Sequence, residues 1–309
     1  MNGQVIKTIG DKYLVKNKLG KTYSCRLKGN FKIKNIRSTN PIVVGDHVEL
    51  SFDLKEIMIV KLLPRKNKIV RKSVNLSKRT HVLAANIDQA LLIITLDEPV
   101  TTRSFIDRFL VSAYANNVNV ILIFNKQDLL SQNLLEKQNY LKNLYQKIGY
   151  EVFCISCLND DLSKLKNVMK NKLNMISGHS GVGKSTLINR IQPTLNINTK
   201  PISTSNNQGQ HTTTHSEIFD LDCGGSVIDT PGIKGFGLVD FDKEELATYF
   251  PEMLVALKNC KFHNCRHLNE PGCEVLKQLE NNARAFDMEN DGYEDDDGDD
   301  PFSDKKSNG

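Results

Sequence analysis

Gly178-His179-Ser180-Gly181-Val182-Gly183-Lys184-Ser185 is the stretch on which the reading of this 309-residue chain turns. It matches G-x-x-x-x-G-K-S at every position, with a short apolar strand, Asn174–Ser177, before it and a helix, Thr186–Ile191, after it. In that context the glycines let backbone N–H groups converge on a β-phosphate. The Lys184 ammonium reaches β and γ oxygens, and the Ser185 hydroxyl can ligate Mg²⁺. The loop alone does not separate ATP from GTP.

Asn125-Lys126-Gln127-Asp128 makes that separation, because it ends an apolar run, Val118–Phe124, where a base-reading loop belongs. The Asp128 carboxylate can accept from guanine N1–H and N2–H, a donor pair adenine lacks, and an unpaired buried acceptor costs about 1–3 kcal/mol. Asn125 would brace the loop and the Lys126 stem would cover the ring. Ser156 and Cys157 end the next strand, where a backbone N–H can meet guanine O6; the competing reading takes Cys154-x-x-Cys157 as a redox or metal pair. Asp229-Thr230-Pro231-Gly232 follows the strand Ser226–Ile228, which suits Asp229 for Mg²⁺ and the Gly232 N–H for the γ-phosphate. The order is anomalous, since the base-reading tetrad precedes the phosphate loop. Loops at the carboxyl edge of one parallel sheet tolerate such a permutation.

Between the phosphate loop and Asp229 lies a polar stretch, Lys200–His215, ending Gly209-Gln210-His211-Thr212-Thr213-Thr214. Thr213 or Thr214 offers a hydroxyl to Mg²⁺ and the γ-phosphate, and spacing does not choose between them. The residue after Gly232 is Ile233, a hydrocarbon where a glutamine would orient the attacking water, so intrinsic turnover should be slow. His211 is the candidate replacement, the other reading being that it contacts a partner or solvent.

Alternating apolar strands and helices from Ala85 onward fit an α/β domain over residues 85–240: strands Ala90–Leu96, Val118–Phe124 and Glu151–Ile155, a helix Phe105–Tyr114, and a helical face Leu162, Leu165, Met169, Leu173. Ahead of it, five short strands over residues 1–64 suit an OB-type barrel: Val5–Ile9, Tyr13–Lys16, Thr22–Leu27, Pro41–Phe52 and Ile57–Leu62. Such a barrel binds RNA or serves as a spacer. Residues 65–84 read as a basic linker and a candidate phosphate contact. Residues 241–286 read as a small helical domain with a core of Leu246, Tyr249, Phe250, Met253, Leu254 and Leu257. Cys260-x4-Cys265-x-His267-x5-Cys273 in that domain offers three thiolates and an imidazole, a closed tetrahedral set for structural Zn²⁺, with His263 the alternative imidazole.

Whole-chain charge is +5, yet the 23 residues from Asp287 hold ten acids and two lysines, so the body carries +13 and suits a polyanion such as RNA. That acidic tail, 287–309, has little to bury and is expected to be disordered. A Ca²⁺ loop beginning at Asp287 fails because Gly298 stands where the bidentate acid belongs. Neither a secretory leader nor a membrane-length apolar run is present, which predicts a cytoplasmic protein with reduced cysteines and no membrane partner.

Taken together, the barrel, the permuted loops with Gly209–Thr214, and the Cys-Cys-His-Cys set resemble the circularly permuted ribosome small-subunit-dependent GTPase A family from Gln4 to about Phe286. The resemblance implies GTP hydrolysis stimulated by the immature 30S ribosomal subunit, contact with 16S rRNA, release of assembly factors, and a monomer holding one Zn²⁺ and using Mg²⁺ with GTP. Other readings are a permuted GTPase of the large subunit and a non-catalytic GTP-sensing RNA-binding switch.

Overall fold

Alternation of buried and exposed residues builds the first five strands, β1 (Asn2–Ile9), β2 (Lys12–Asn17), β3 (Thr22–Leu27), β4 (His47–Phe52) and β5 (Ile57–Leu62). The structure, a computed structural model, describes residues 1–28, 40–53, 56–72, 80–197, 216–230, 245–263 and 265–283. Val5, Val15, Cys25, Val48, Leu50 and Ile59 point inward to one core. β1 pairs with both β2 and β4, β4 with β5, and β3 runs parallel to β5, so the order 1-2-3-5-4 closes on itself. This is the expected OB-type barrel.

The fourth strand begins at His47 and not at Pro41. A buried carboxylate explains the difference: Asp46 accepts the Val43 N–H at 2.8 Å and both arms of the Arg65 guanidinium at 2.7 Å, which holds the preceding residues in a loop. Gly45 in that loop has φ +92°, and a Cβ there would stand 2.0 Å from the Ala85 carbonyl oxygen, so no larger residue fits. Arg65, read as a phosphate contact, is thereby committed to an internal ion pair. The stretch read as a linker is also not one throughout. β6 (Lys68–Lys72) and β7 (Thr80–Ala85) form an antiparallel ribbon, with Ile69, Val70 and Val82 buried.

The remaining strands and helices of this part are β8 (Gln89–Ile94), α1 (Arg103–Ala115), β9 (Asn119–Phe124), α2 (Gln132–Ile148), β10 (Glu151–Cys154), α3 (Ser163–Met169), β11 (Leu173–Ser177), α4 (Lys184–Ile191), β12 (Glu217–Asp220) and β13 (Ser226–Asp229). They form a sheet ordered β10-β9-β8-β11-β13-β12, parallel except for β12, which runs antiparallel to β13 and continues into β1 of the barrel through Lys7 opposite Glu217. β8 is apolar along nearly its whole length because both of its faces are covered. Leu92 and Ile94 pack with Phe105 and Phe109, while Leu91 and Ile93 pack with Leu165, Met169, Leu187 and Ile188. Each such side chain stabilises the fold by about 1.5–3 kcal/mol on burial.

Two sequence expectations change here. α3 ends at Met169, and Leu173, placed on its face by spacing, opens β11 instead. Asn171 at φ +58° turns the chain between them. α2 was not foreseen; it starts after Ser131 and stops at Gly149, whose φ of +114° ends the helix.

The chain divides into two compact units, Met1–Phe236 and Gly237–Gly309. The second contains a 3-10 turn at Leu246–Tyr249, α5 (Pro251–Leu257) and α6 (Glu274–Ala283). Its core differs from the expected one. Ala256, Cys273 and Val275 are buried, with Met253, Cys260, Cys265 and Leu276 packed on them, whereas Leu246, Tyr249, Phe250, Leu254 and Leu257 are only half-buried. The acidic tail lies outside the described residues.

Candidate nucleotide site and metal cluster

Parallel strands end at one sheet edge, so β11, β9, β10 and β13 bring their carboxyl ends together despite their scrambled order. Gly178, Gly181 and Gly183 take φ of +141°, +87° and +101°, which lets the loop after β11 curl tightly. At Gly178 a Cβ would approach the Ile93 carbonyl oxygen to 2.5 Å. Such a loop ahead of α4, whose helix starts at Lys184, presents N–H groups to an anion. Val182 is buried beneath it, Ser180, Ser185 and Thr186 are half-buried, and the His179 ring stacks on Phe105 of α1 at 4.0 Å.

Lys184 is nine-tenths buried, and its ammonium donates to the carbonyls of Gly178 at 2.9 Å and His179 at 2.5 Å. Burial pulls its pKa down to about 8, opposed by the negative charge of Asp229. The end of β13 and the phosphate-type loop are therefore electrostatic neighbours. Asp229 itself is buried, and next to it the Thr230 hydroxyl donates to the Ile176 carbonyl.

Asn125 joins the base-reading tetrad to this loop directly. Its amide nitrogen donates to the Val182 carbonyl at 2.8 Å and to the Cys157 sulfur at 3.3 Å, while its oxygen accepts the Cys157 N–H at 3.0 Å. Lys126 sits at φ +63° with its ammonium on the Glu98 carbonyl at 2.5 Å; burial lowers its pKa against the raising influence of nearby negative groups. Asp128 is exposed, touched only by the Asn159 amide at 3.4 Å among the described residues.

Asp160 was overlooked at the sequence level. Its carboxylate accepts the Ser156 N–H and the Gln127 amide, both at 2.8 Å, tying the loop after β10 to the tetrad. Arg190 of α4 then donates to the carbonyls of Cys157 at 3.1 Å and Asp160 at 3.3 Å. The N–H groups of Ser156 and Cys157, both candidates for guanine O6, are thus engaged within the protein, and Leu158 carries the next N–H along the loop. A Cys154–Cys157 pair is contradicted: Cys154 packs on one face of the sheet and Cys157 on the other. Burial also raises both thiols' pKa, so they stay protonated and inert. His211, Thr213, Thr214, Gly232 and Ile233 lie outside the described residues.

In the second unit, Cys260, Cys265, His267 and Cys273 bring one ligand atom each to within 4.8 Å of one another, and His263 is exposed and outside the group. The His267 Nδ1 lies 3.9 Å from the Cys260 sulfur and 3.2 Å from the Cys273 sulfur. Ligands at about 2.0–2.3 Å in a tetrahedron would sit some 3.6–3.8 Å apart, so the donor set and its spacing fit Zn²⁺. His267 has φ +60°, a left-handed conformation costly outside glycine, held where the imidazole faces the thiols.

Residues 62–239 match the family model described as RsgA GTPase, and residues 2–57 match that of the RsgA N-terminal domain. The chain is 51% identical over 293 residues to a protein of Christiangramia forsetii named small ribosomal subunit biogenesis GTPase RsgA, covering 93% of this chain and 92% of that one. Likewise named is a protein of Flavobacterium psychrophilum, 49% identical over 93% of this chain and 89% of its own. Among solved structures, YjeQ from Thermotoga maritima superposes with a TM-score of 0.70 at 31% identity, over 91% of this chain and 92% of its own. YloQ, described as a circularly permuted GTPase, gives 0.66 at 29% identity, over 91% and 88%.

Proposed function

Because this chain belongs to the RsgA GTPase family and is a GTPase, we propose that it hydrolyses GTP during late maturation of the small ribosomal subunit. Contact with 16S rRNA would stimulate turnover, and hydrolysis would release the protein and other assembly factors. The observation that carries the reading is the Asn125 amide on the Val182 carbonyl, which supports a single nucleotide spanning tetrad and loop.

In this assignment Asp128 reads guanine N1–H and N2–H, and Asn125, Gln127 and Lys126 hold the base side. With Ser156 and Cys157 donating elsewhere, the Leu158 N–H is left for guanine O6. The N–H groups of Gly178 to Thr186 and the Lys184 ammonium take the phosphates, and the Gly232 N–H meets the γ-phosphate. Ser185 and Asp229, with Thr213 or Thr214, would hold the Mg²⁺ that neutralises charge between β and γ oxygens. His211 would orient water in place of the residue missing at Ile233. Cys260, Cys265, His267 and Cys273 would hold one Zn²⁺ whose role is structural. Among the described residues no helix is long and apolar enough to cross a membrane, and a cytoplasmic monomer suits the proposal.

The test is multiple-turnover phosphate release from GTP with purified protein, alone and with separated 30S or 50S subunits. Acceleration by 30S only is the expected result. Equal rates under all three conditions would remove the ribosomal part of the proposal, and acceleration by 50S would transfer it to the large subunit.

A further inference from the structure

The loop after β10 leaves one backbone donor without a partner. Of the N–H groups from Ser156 to Asp160, that of Ser156 goes to the Asp160 carboxylate and that of Cys157 to the Asn125 side-chain oxygen. The Asn159 and Asp160 N–H groups both go to the Ser156 carbonyl, at 3.2 and 2.9 Å. The Leu158 N–H alone has no acceptor among the described residues, and Leu158 is 62% exposed. In a loop whose other donors are all paired, it is the group left to meet a ligand.

The other half of the same peptide group fixes where that donor points. The bond between Cys157 and Leu158 is trans, so the Cys157 carbonyl and the Leu158 N–H lie in one plane and face opposite ways. The Cys157 carbonyl accepts the Arg190 Nε–H at 3.1 Å, and the Asp160 carbonyl accepts from Nη2 of the same guanidinium at 3.3 Å. A planar group with its donors in a rigid fork holds both carbonyls at once, so the peptide cannot turn over without losing a bond to Arg190. Arg190 stands in the last turn of α4, the helix that starts at Lys184, and Leu187, Ile188 and Ile191 bury the inner face of that helix. At a rise of about 1.5 Å per residue the two side chains start about 9 Å apart along the axis. One rigid helix thus carries the phosphate-side cation near its start and the brace of the base-side loop near its end.

We infer that Arg190 is a positioning residue for guanine specificity: by holding the Cys157 carbonyl toward α4, it turns the Leu158 N–H toward the base, where it meets O6. It acts through the peptide and not by contact with the nucleotide. Adenine carries an amino group at that position, a donor facing a donor, so a fixed N–H adds to the rejection made at Asp128. A peptide free to turn over would accept either base there. The inference rests on the proposed pairing of the Leu158 N–H with guanine O6, and it names the side chain that sets the geometry of that pair.

The experiment uses the full chain at pH 7 and titration calorimetry with three nucleotides. GDP is the reference, 6-thio-GDP keeps N1–H and N2–H but offers a poorly accepting sulfur in place of O6, and IDP lacks the 2-amino group read by Asp128. The parent should bind GDP about tenfold more tightly than 6-thio-GDP. Arg190→Met keeps the apolar stem and removes every donor. It should bring the two within about twofold of each other by weakening GDP, while the GDP-to-IDP ratio stays at the parent's value. Arg190→Gln, a shorter neutral side chain, is the second variant and carries the same expectation. Each dissociation constant reports only the molecules competent to bind, so partial misfolding does not alter the ratios. An Arg190 that served only stability, or supplied only charge, would weaken all three nucleotides by one factor when replaced. That result, or variants that bind as the parent does, would overturn the inference and leave the O6 pairing standing. A fall in the GDP-to-IDP ratio as well would mean that the whole base site had moved, and would overturn it too. A parent that binds GDP and 6-thio-GDP equally would sink both the O6 pairing and the inference.

Discussion

The nucleotide cradle and the cysteine–histidine cluster are both made of loops, yet different forces hold them. Beneath the cradle lie two large apolar cores, one on each face of the sheet, and above them Asn125, Asp160 and Arg190 cross-link the loops by hydrogen bonds. The described part of the cradle is therefore held in shape by the protein's own contacts. Around the cluster only Ala256, Cys273 and Val275 are buried apolar residues among those described. So small a core does not offset the entropy of ordering its backbone, about 1–2 kcal/mol per residue, without help from a ligand. Pre-organisation belongs to the first region, and the proposed dependence on metal to the second.

Removing metal is the sharpest way to separate them. Stripping Zn²⁺ with a chelator, or the change Cys273→Ser, should abolish amide-exchange protection over residues 245–283, a loss on the order of 10 kcal/mol of binding-coupled folding. Affinity for GDP should stay within about twofold. A collapse of GDP binding in the same sample would show that the cradle is not self-supporting.

Inside the cradle the largest effect is expected at the base. Asp128→Asn replaces an acceptor by a donor opposite guanine N2, so GTP affinity should fall about a thousandfold or more while xanthosine nucleotides, which carry a carbonyl there, gain. Titration calorimetry with both nucleotides measures it. Asp160→Ala frees the Ser156 N–H and the Gln127 amide. Two lost hydrogen bonds of about 0.5–1.5 kcal/mol each translate to about tenfold weaker GDP binding. A loss in melting temperature with unchanged GDP affinity would make Asp160 a stability residue only.

Proton linkage gives the smallest effect. Lys184 has a pKa of about 8 without nucleotide, and phosphate oxygens beside it would raise that value. The bound state then holds more protons at and above pH 8, so affinity must fall as pH rises through that region. From pH 7 to 8.5 the weakening should be about fourfold, and it should vanish in Lys184→Arg, whose side chain does not titrate there. A flat profile in the parent would mean that Lys184 is not the phosphate partner.

Much of the cradle was legible because its chemistry is local. A glycine-rich turn before Lys184 and an Asn-Lys-Gln-Asp tetrad after an apolar strand each state their purpose within eight residues. What stayed hidden depends on distant partners. Asp46 lies 19 residues from Arg65, and only the fold reveals that the pair uses up a cation that looked free for phosphate. Asp160 carries no motif and matters through Gln127, 33 residues away. α2 escaped notice because its buried positions, Gln138, Leu141 and Tyr145, include an amide and weaken the apolar rhythm. β12 has four residues, none fully buried, and leans on β1 through Lys7–Glu217 and on β2 through Lys16–Asp220. Leu173 fell at helical spacing from Met169 by coincidence, and the turn at Asn171 is what separates them.

A structure of the protein with Mg²⁺ and a non-hydrolysable GTP analogue addresses the shared pocket most directly. The prediction is one molecule with its guanine N1 and N2 about 3 Å from the Asp128 carboxylate and its β-phosphate within hydrogen-bond reach of N–H groups from Gly181 to Ser185. A base lying away from Asp128 while the phosphates occupy the loop would contradict it.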